Sequence, residues 1–353
     1  MKPGGRSTRR ITFALAVTLG AALLVKEAVV PGIARLRIVS AVRSGCESCE
    51  LSLGAVRLHL SPPALSCGRA RLTAGTPGAT VVEAEAAALY VPVSLSQLLR
   101  GRIRAGIVEL DKLSVTVKEG DLPSAPPPER GGARPPGPPL DLELEGVVIK
   151  DGAFVYVRDS PGRRGTIGIS RLSAAAGPVG SSARLRGRAV EASAEGRLED
   201  SGKFRLEVRG RPFAREPHLD VKLRVAGQEL RELDRFLRPT EGIGLKGTLL
   251  ESRSETAIRG SRLNSSVFLR YRGLELHMEK TKERGAVSSY IQTLLASAAL
   301  GRQNADGAFD RGGTAELDRK PGETLVGFIL RGLKEAAIQV AKQGGPARVE
   351  RAR

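Results

Sequence analysis

The chain has 353 residues, room for one large domain or two average ones. Aromatic residues make up 3% of it and tryptophan is absent, so any core is built from Ala, Val, Leu and Ile, which suit thin layers better than a thick interior. The formal net charge of +18 favours anionic partners in general. The basic residues are spread rather than clustered, which reads first as solvated strand faces, and the lack of stacking aromatics disfavours nucleic acid.

The N-terminus opens with Lys2, Arg6, Arg9 and Arg10, followed by the uncharged stretch Ile11–Val25. That stretch is short of the roughly 20 residues that span a bilayer core. Lys26 and Glu27 interrupt it before "AVVPGIA" continues apolar, and Lys26 can snorkel to the headgroups. Without a clear small-x-small cleavage site, the segment reads as a signal anchor in preference to a signal peptide. Basic residues ahead of an anchor keep the N-terminus cytoplasmic. In a Gram-negative cell this gives a single-pass inner-membrane protein with its bulk in the periplasm.

Gly32–Arg43 follows as a short amphipathic helix leaving the membrane. Cys46 and Cys49 then form "CESC", with Cys67 further on. In an oxidising compartment the plain reading is a structural disulfide with one cysteine left over. A redox pair would need a helix N-terminus, whereas "ELSLGAVRLHL" reads as strand. A zinc site would need more ligands than nearby His59 supplies.

From Cys49 onward, apolar and polar residues alternate with the period of a strand covered on one face. Leu51 and Leu53 alternate, as do Val56, Leu58 and Leu60, until "SPP" breaks the run. Val82 to Ala88 continue the pattern, "SLSQLLRG" predicts a helical turn or two, and "AGIVELDKLSVTVKEG" is strand again. Eight of the twenty residues from Asp121 to Leu140 are proline, and proline cannot donate to a strand ladder. Composition does not otherwise shift across the run. It therefore reads as a loop between neighbouring strands of one sheet rather than a domain boundary.

Beyond it, Leu140, Leu142 and Leu144 alternate, then Val147 and Ile149. Asp151–Gly152 predicts a two-residue hairpin turn, with Phe154–Val157 as the return strand. Further short strands are predicted over Thr166–Leu172, Ala183–Arg186, Ala189–Leu198, Phe204–Val208, Leu219–Val225, Leu245–Glu251, Ser266–Tyr271 and Leu274–Met278. Helices are predicted over Gly227–Leu237, ending before Pro239, over Gly285–Leu300, and over Pro321–Lys342. The last carries an apolar stripe of Leu325, Ile329, Leu333, Ala336 and Val340. A helix packed over a sheet end is favoured over a membrane-surface helix.

Catalytic signatures are missing from the sequence. The three histidines, His59, His218 and His277, make no HExxH, and neither a GxSxG elbow nor a phosphate loop occurs. The expectation is no enzyme, no metal and no cofactor.

Several blocks in order resemble the AsmA-like family of bacterial envelope proteins. They are the anchor followed by "ELSLGAVRLHLSPPALS", then "VPVSLSQLLRGRIRAGIVELDKLSVTVKEGD", the proline-rich gap, and "LDLELEGVVIKDGAFVYVRD". "LRELDRFLRP" before "GTLLES" follows, and the ending is "GGTAELDRKPGETLVGFILRGLKEA". The resemblance implies a long, bent sheet folded into an open groove with an apolar inside, and larger members are thought to conduct phospholipid. The alternation points the same way, because one continuous apolar face must be covered or must carry acyl chains.

The expected fold is mainly β: one long, curved, largely antiparallel sheet forming an open groove, with an N-terminal membrane helix and a few short helices including a C-terminal one. The expected segments are a basic region (1–10), an anchor (11–30), a groove in two parts (31–120 and 140–320) around the proline-rich loop (121–139), a C-terminal helix (321–343) and a basic tail (344–353). Candidate groove residues are Leu142, Leu144, Leu206, Val208, Leu219, Val221, Leu223, Val225, Leu269 and Tyr271. The candidate disulfide is Cys46–Cys49. The expected partner is membrane phospholipid, with an envelope protein as a second partner. The alternative function is an assembly scaffold that pairs strand edges.

Overall fold

The computed structural model describes residues 48–75, 80–94, 103–120, 142–160, 163–180, 187–212, 216–278, 309–320 and 325–342, with a few gaps in these ranges and a few isolated positions between 32 and 42 and at 185 and 214. Within them the chain is mainly β, and fifteen strands form one sheet.

The first half holds β1 (Cys49–Leu53), β2 (Val56–Leu60), β3 (Pro63–Gly75), β4 (Thr80–Pro92), β5 (Ile103–Asp111), β6 (Ser114–Gly120), β7 (Leu142–Ser160), β8 (Arg163–Gly177) and β9 (Val179–Gly180). The second half holds β10 (Val190–Leu198), β11 (Gly202–Arg211), β12 (His218–Glu229), β13 (Ile243–Arg259), β14 (Arg262–Met278) and β15 (Phe309–Asp318). Neighbours run β1-β3-β4-β5-β7-β8-β10-β11-β12-β13-β14-β15, with β2 beside β3, β6 between β4 and β7, and β9 beside β7. From β10 onward each strand pairs with the next in sequence, as hairpins require.

The strands are longer than the predicted short ones. Ser266–Tyr271 and Leu274–Met278 belong to one strand, β14, which passes through Gly273 at φ +59°. Asp151–Gly152 is not a hairpin turn. β7 runs straight through it for 19 residues, with Asp151 at φ +51° and a register shift against β8. A pair that tolerates positive φ serves a bulge as readily as a turn.

The sheet is mixed rather than purely antiparallel: β5 and β6 both pair with β7 in parallel. Ile103 lies level with Leu142, and Gly120 level with Asp159. The chain leaving Gly120 must therefore return along the whole ladder before β7 begins, roughly 56 Å at about 3.3 Å per residue. Residues 121–141 lie outside the described residues, but their number sets their reach. A polyproline path of that length covers roughly 68 Å, and a helical one only about 33 Å.

Helix α1 (Asp234–Glu241) follows a 3-10 turn at Leu230–Leu233. It runs past Pro239, where the sequence predicted a stop. Pro239 forgoes the one hydrogen bond an N–H at that position would make to the Arg235 carbonyl, and Gly242 at φ +68° closes the helix by donating to the Arg238 carbonyl at 2.9 Å. Asp234 ties the helix to β13 by accepting from the Leu245 N–H at 2.8 Å. Helix α2 (Leu325–Lys342) packs on β14 and β15.

The described positions between Gly32 and Val42 are helical. The expected anchor (11–30), the "SLSQLLRG" turn and the Gly285–Leu300 helix lie outside the described residues. Among those described, no helix is long and apolar enough to cross a membrane.

Length, not proline, is what the parallel step requires. Deleting Ala125–Arg134 leaves a connection that reaches roughly 43 Å at full extension, too short to pair β6 with β7. The expected outcome is loss of cooperative denaturant unfolding, while a variant with every proline of the run replaced by serine unfolds as wild type does. Wild-type unfolding of the deletion variant would contradict the constraint.

Candidate functional site

Antiparallel partners in register project to the same face, and alternate residues of a strand share it. On β11 and β12, Leu206 faces Leu223, Val208 faces Val221, and Gly210 faces Leu219. The rows continue onto β13 and β14 through Leu219–Ile258–Leu263 and Val225–Ser252–Leu269. Eight of the groove candidates, Leu206, Val208, Leu219, Val221, Leu223, Val225, Leu269 and Tyr271, thus lie on one face. In the other direction the same face runs through Ala194, Ala174 and Ile149.

Continuity is not trivial further along. The apolar alternation slips by one residue in each strand from β3 to β8. It passes from Cys67 to Ala70 in β3, from Leu89 to Ala86 in β4, from Leu110 to Leu113 and Val115 in β5 and β6, from Ile149 to Phe154 in β7, and from Ala174 to Ile169 in β8. These slips align across the sheet, with Leu110 level with Ile149 and Val115 level with Phe154. Left-handed residues sit on the line at Arg69 (φ +69°), Lys112 (φ +49°), Asp151 (φ +51°) and Arg171 (φ +51°).

Two hydrogen bonds fix the geometry. The Lys150 carbonyl accepts from Lys112 N–H at 2.9 Å, and Ala153 N–H donates to the Leu113 carbonyl at 2.7 Å. Lys150 and Ala153, three apart, both turn their polar backbone groups toward the same neighbour and so share a face. Without the slip, residues three apart would face opposite ways. The crease therefore keeps Ile149 and Phe154 on the same, apolar, side.

Leu144 pairs with Ala105 and Val179 and is half-buried. It alternates out of phase with Val147 and Ile149, apart from the eight. Leu142 pairs with Ile103 in backbone register, and its side chain lies outside the described ones.

Part of the apolar face is already occupied. Phe328 of α2 is fully buried against Leu219, Ile258 and Leu263, with Leu325 and Ile329 beside it. Ala336 and Leu333 cover Val267. Close approach is possible because of Gly332, where a Cβ would stand 2.4 Å from Leu263 Cδ2. The predicted stripe identified Leu325, Ile329, Leu333 and Ala336 but not Phe328, the anchor of the contact. The sequence reading also missed a small polar rung, in which buried Thr256 and Ser265 hydrogen-bond each other at 2.9 Å. Leu219 is thus committed to α2 and Leu269 packs beside Ala336, while Leu206 and Leu223 remain half-buried.

The opposite face is charged and laced across strands. Arg71 donates to Glu85 at 2.5 Å, Lys118 to Glu83 at 2.6 Å, Lys150 to Glu109 at 2.6 Å and Arg205 to Glu195 at 3.2 Å. The hydrogen bond from Arg71 holds the Glu85 carboxyl below its ordinary range. Exposed pairs of this kind add little stability but discourage the wrong register. A cavity of about 1180 Å³ is lined by the charged Lys150, Glu195 and Arg205 together with the apolar Val147, Ile149 and Ala174.

Cys49 is disulfide-bonded and opens a strand, not a helix. Cys67 is free and buried, and burial pushes its thiol pKa up. Cys46, the chain's remaining cysteine, lies outside the described residues. His59 sits 2.9 Å from Ser66 Oγ, and among the described residues no group of His, Cys, Asp or Glu is arranged to hold a metal ion.

No protein-family model matches the chain, and no curated protein matches it.

Two measurements check this description. Phe328→Ala should cost about 3–5 kcal/mol in denaturant unfolding, because its side chain is fully buried against Leu219, Ile258 and Leu263. Glu199, at the β10–β11 turn, accepts from Gly168 N–H, yet burial raises its carboxyl pKa. A raised folded-state pKa means stability present at low pH and lost as pH rises through the titration. Glu199→Gln is therefore expected to stabilise at pH 7 and to give a smaller gain near pH 4, read by thermal melts at both pH values.

Proposed function

We propose that this is an inner-membrane-anchored periplasmic protein that handles phospholipid acyl chains along the apolar face of its sheet, without covalent chemistry, in maintenance of the cell envelope. The reading rests on one observation above others. The apolar side chains stay on one side of a creased sheet across strand after strand, although the alternation itself slips.

Three further points support it. The uncharged stretch Ile11–Val25 behind four basic residues suits an anchor. The blocks that resemble AsmA-like proteins occur in the family's order. Leu206 and Leu223 remain half-buried, where a ligand can cover them. Each CH₂ taken from water contributes about 0.8 kcal/mol, so a long acyl chain needs no specific polar contact to be held. On this reading the sheet curves into an open groove around the apolar face. Its twelve successive strands, about 4.8 Å apart, carry that face over roughly 53 Å. A protein of this size is a short conduit or a lipid-handling subunit rather than a full bridge between two membranes.

A second reading has its own observation. Among the described residues, β1 and β2 at one end and β15 at the other each pair on one side only. Such edges suit strand addition by an envelope protein, which would make the chain an assembly scaffold.

Native mass spectrometry of the full-length chain, extracted in a mild detergent, separates the two. The lipid reading expects copurified phospholipid that is lost in Leu206→Arg/Leu223→Arg, with the variant still folded. A preparation free of lipid, or lipid retained equally by the variant, defeats it. A specific protein crosslinked from β15 in cells would favour the scaffold.

A further inference from the structure

The apolar face changes character along one strand. On β13 the residues that share it are Ser252, Ser254 and Thr256. Ser252 lies level with Val225 and Leu269, Ser254 with Leu223 and Val267, and Thr256 with Val221 and Ser265. Three hydroxyls thus follow one another across a face that is apolar on β11 and β12. The charged residues between them, Arg253 and Glu255, alternate to the opposite face.

The three hydroxyls are not alike. Thr256 and Ser265, both buried, satisfy each other at 2.9 Å. Ser254 is only 6% exposed, and among the described residues neither its hydroxyl nor that of half-buried Ser252 has a hydrogen-bond partner. A hydroxyl taken this far from water without a partner costs stability that an alanine in the same row would not. α2 packs over β14 and β15 and reaches Val267 through Ala336 and Leu333, whereas Leu223, on the other side of Ser254, is half-buried. Ser254 therefore stands at the border between the part of the face that the helix occupies and the part that it leaves open. The group that suits this border is a neutral acceptor on an apolar chain. Hydroxyls donate without carrying charge, and the column holds no cation to balance a buried carboxylate. A carboxylic ester carbonyl meets both conditions.

We propose that Ser252 and Ser254 form a binding site for the ester carbonyls of an acylated lipid. Their hydroxyls donate to the carbonyl oxygens, and the acyl chain lies over Leu223 and Leu206. The proposal rests on the lipid reading and adds to it the place of the lipid's polar end, beside α2. Thr256 and Ser265, bonded to each other, and Phe328 beyond them close the track on that side.

The test offers the full-length chain, in a mild non-ionic detergent, an equimolar mixture of dimyristoyl phosphatidylglycerol and its diether analogue with the same chain length and headgroup. Bound lipids are counted by native mass spectrometry. The expected result is a preference for the ester of about threefold or more, the scale of one neutral hydrogen bond, that falls to parity in Ser252→Ala/Ser254→Ala. Ser193→Ala/Ser266→Ala removes two hydroxyls from the opposite face and should keep the preference. The first double variant should also unfold in denaturant as the wild type does, because its hydroxyls have no partner among the described residues. A clear loss of stability there would assign the hydroxyls to the fold and overturn the site. Equal binding of the two lipids by the wild type, or a preference kept in Ser252→Ala/Ser254→Ala, likewise overturns the site and leaves the lipid reading standing. Binding of neither lipid overturns both.

Discussion

The structure depends on keeping one apolar face on one side of a sheet that changes its own phase. A strand offers its side chains alternately up and down, so a slip of one residue in the apolar pattern would turn half the sheet inside out. The chain meets this with left-handed residues on one line, at Arg69, Lys112, Asp151 and Arg171. Asp suits that conformation, whereas Lys and Arg adopt it at a cost of roughly 1–2 kcal/mol each. The conformation persists because neighbouring strands slip together. β5 and β6, β7 and β8 would lose their shared register if one of them stayed in phase. At β10 the slip ends, absorbed by a register shift between Glu195 and Arg197, and paired register shifts recur between β13 and β14, around Lys246–Glu251.

That division explains what was legible in the sequence. From β10 to β12 the pairing is regular, so the sequence places Leu206, Val208, Leu219, Val221, Leu223 and Val225 on strands in the right phase. Their convergence on one face follows from hairpin pairing. In the first half the alternation is just as visible, but its phase is not. Asp151–Gly152 looked like a turn because the residues that permit a turn also permit a bulge. Whether the apolar residues on either side of such a pair share a face is decided by the conformation of one residue, Asp151, and composition does not record it.

The parallel step was hidden for a different reason. Nothing in "LSVTV" or "LELEGVVI" distinguishes parallel from antiparallel pairing, since both suit half-buried strands. The signal was the length of the connection. A run of some twenty residues is excessive for a hairpin and well matched to a return along a strand pair of this length. The contact under α2 was legible in part. Its stripe at Leu325, Ile329, Leu333 and Ala336 is the helical period, but the deepest residue, Phe328, lies a helical turn from Leu325, and Gly332 is the place where the helix presses closest.

The central claim is that acyl chains run along the apolar face and not the charged one. It is tested most directly by placing a photoreactive phenylalanine analogue at single positions in the full-length protein in cells and irradiating. The account predicts phospholipid adducts from Leu206 and Leu223, and none from Glu207 and Arg224, their neighbours on the opposite face. Equal labelling from both faces, or no lipid adduct from Leu206 and Leu223, would contradict it.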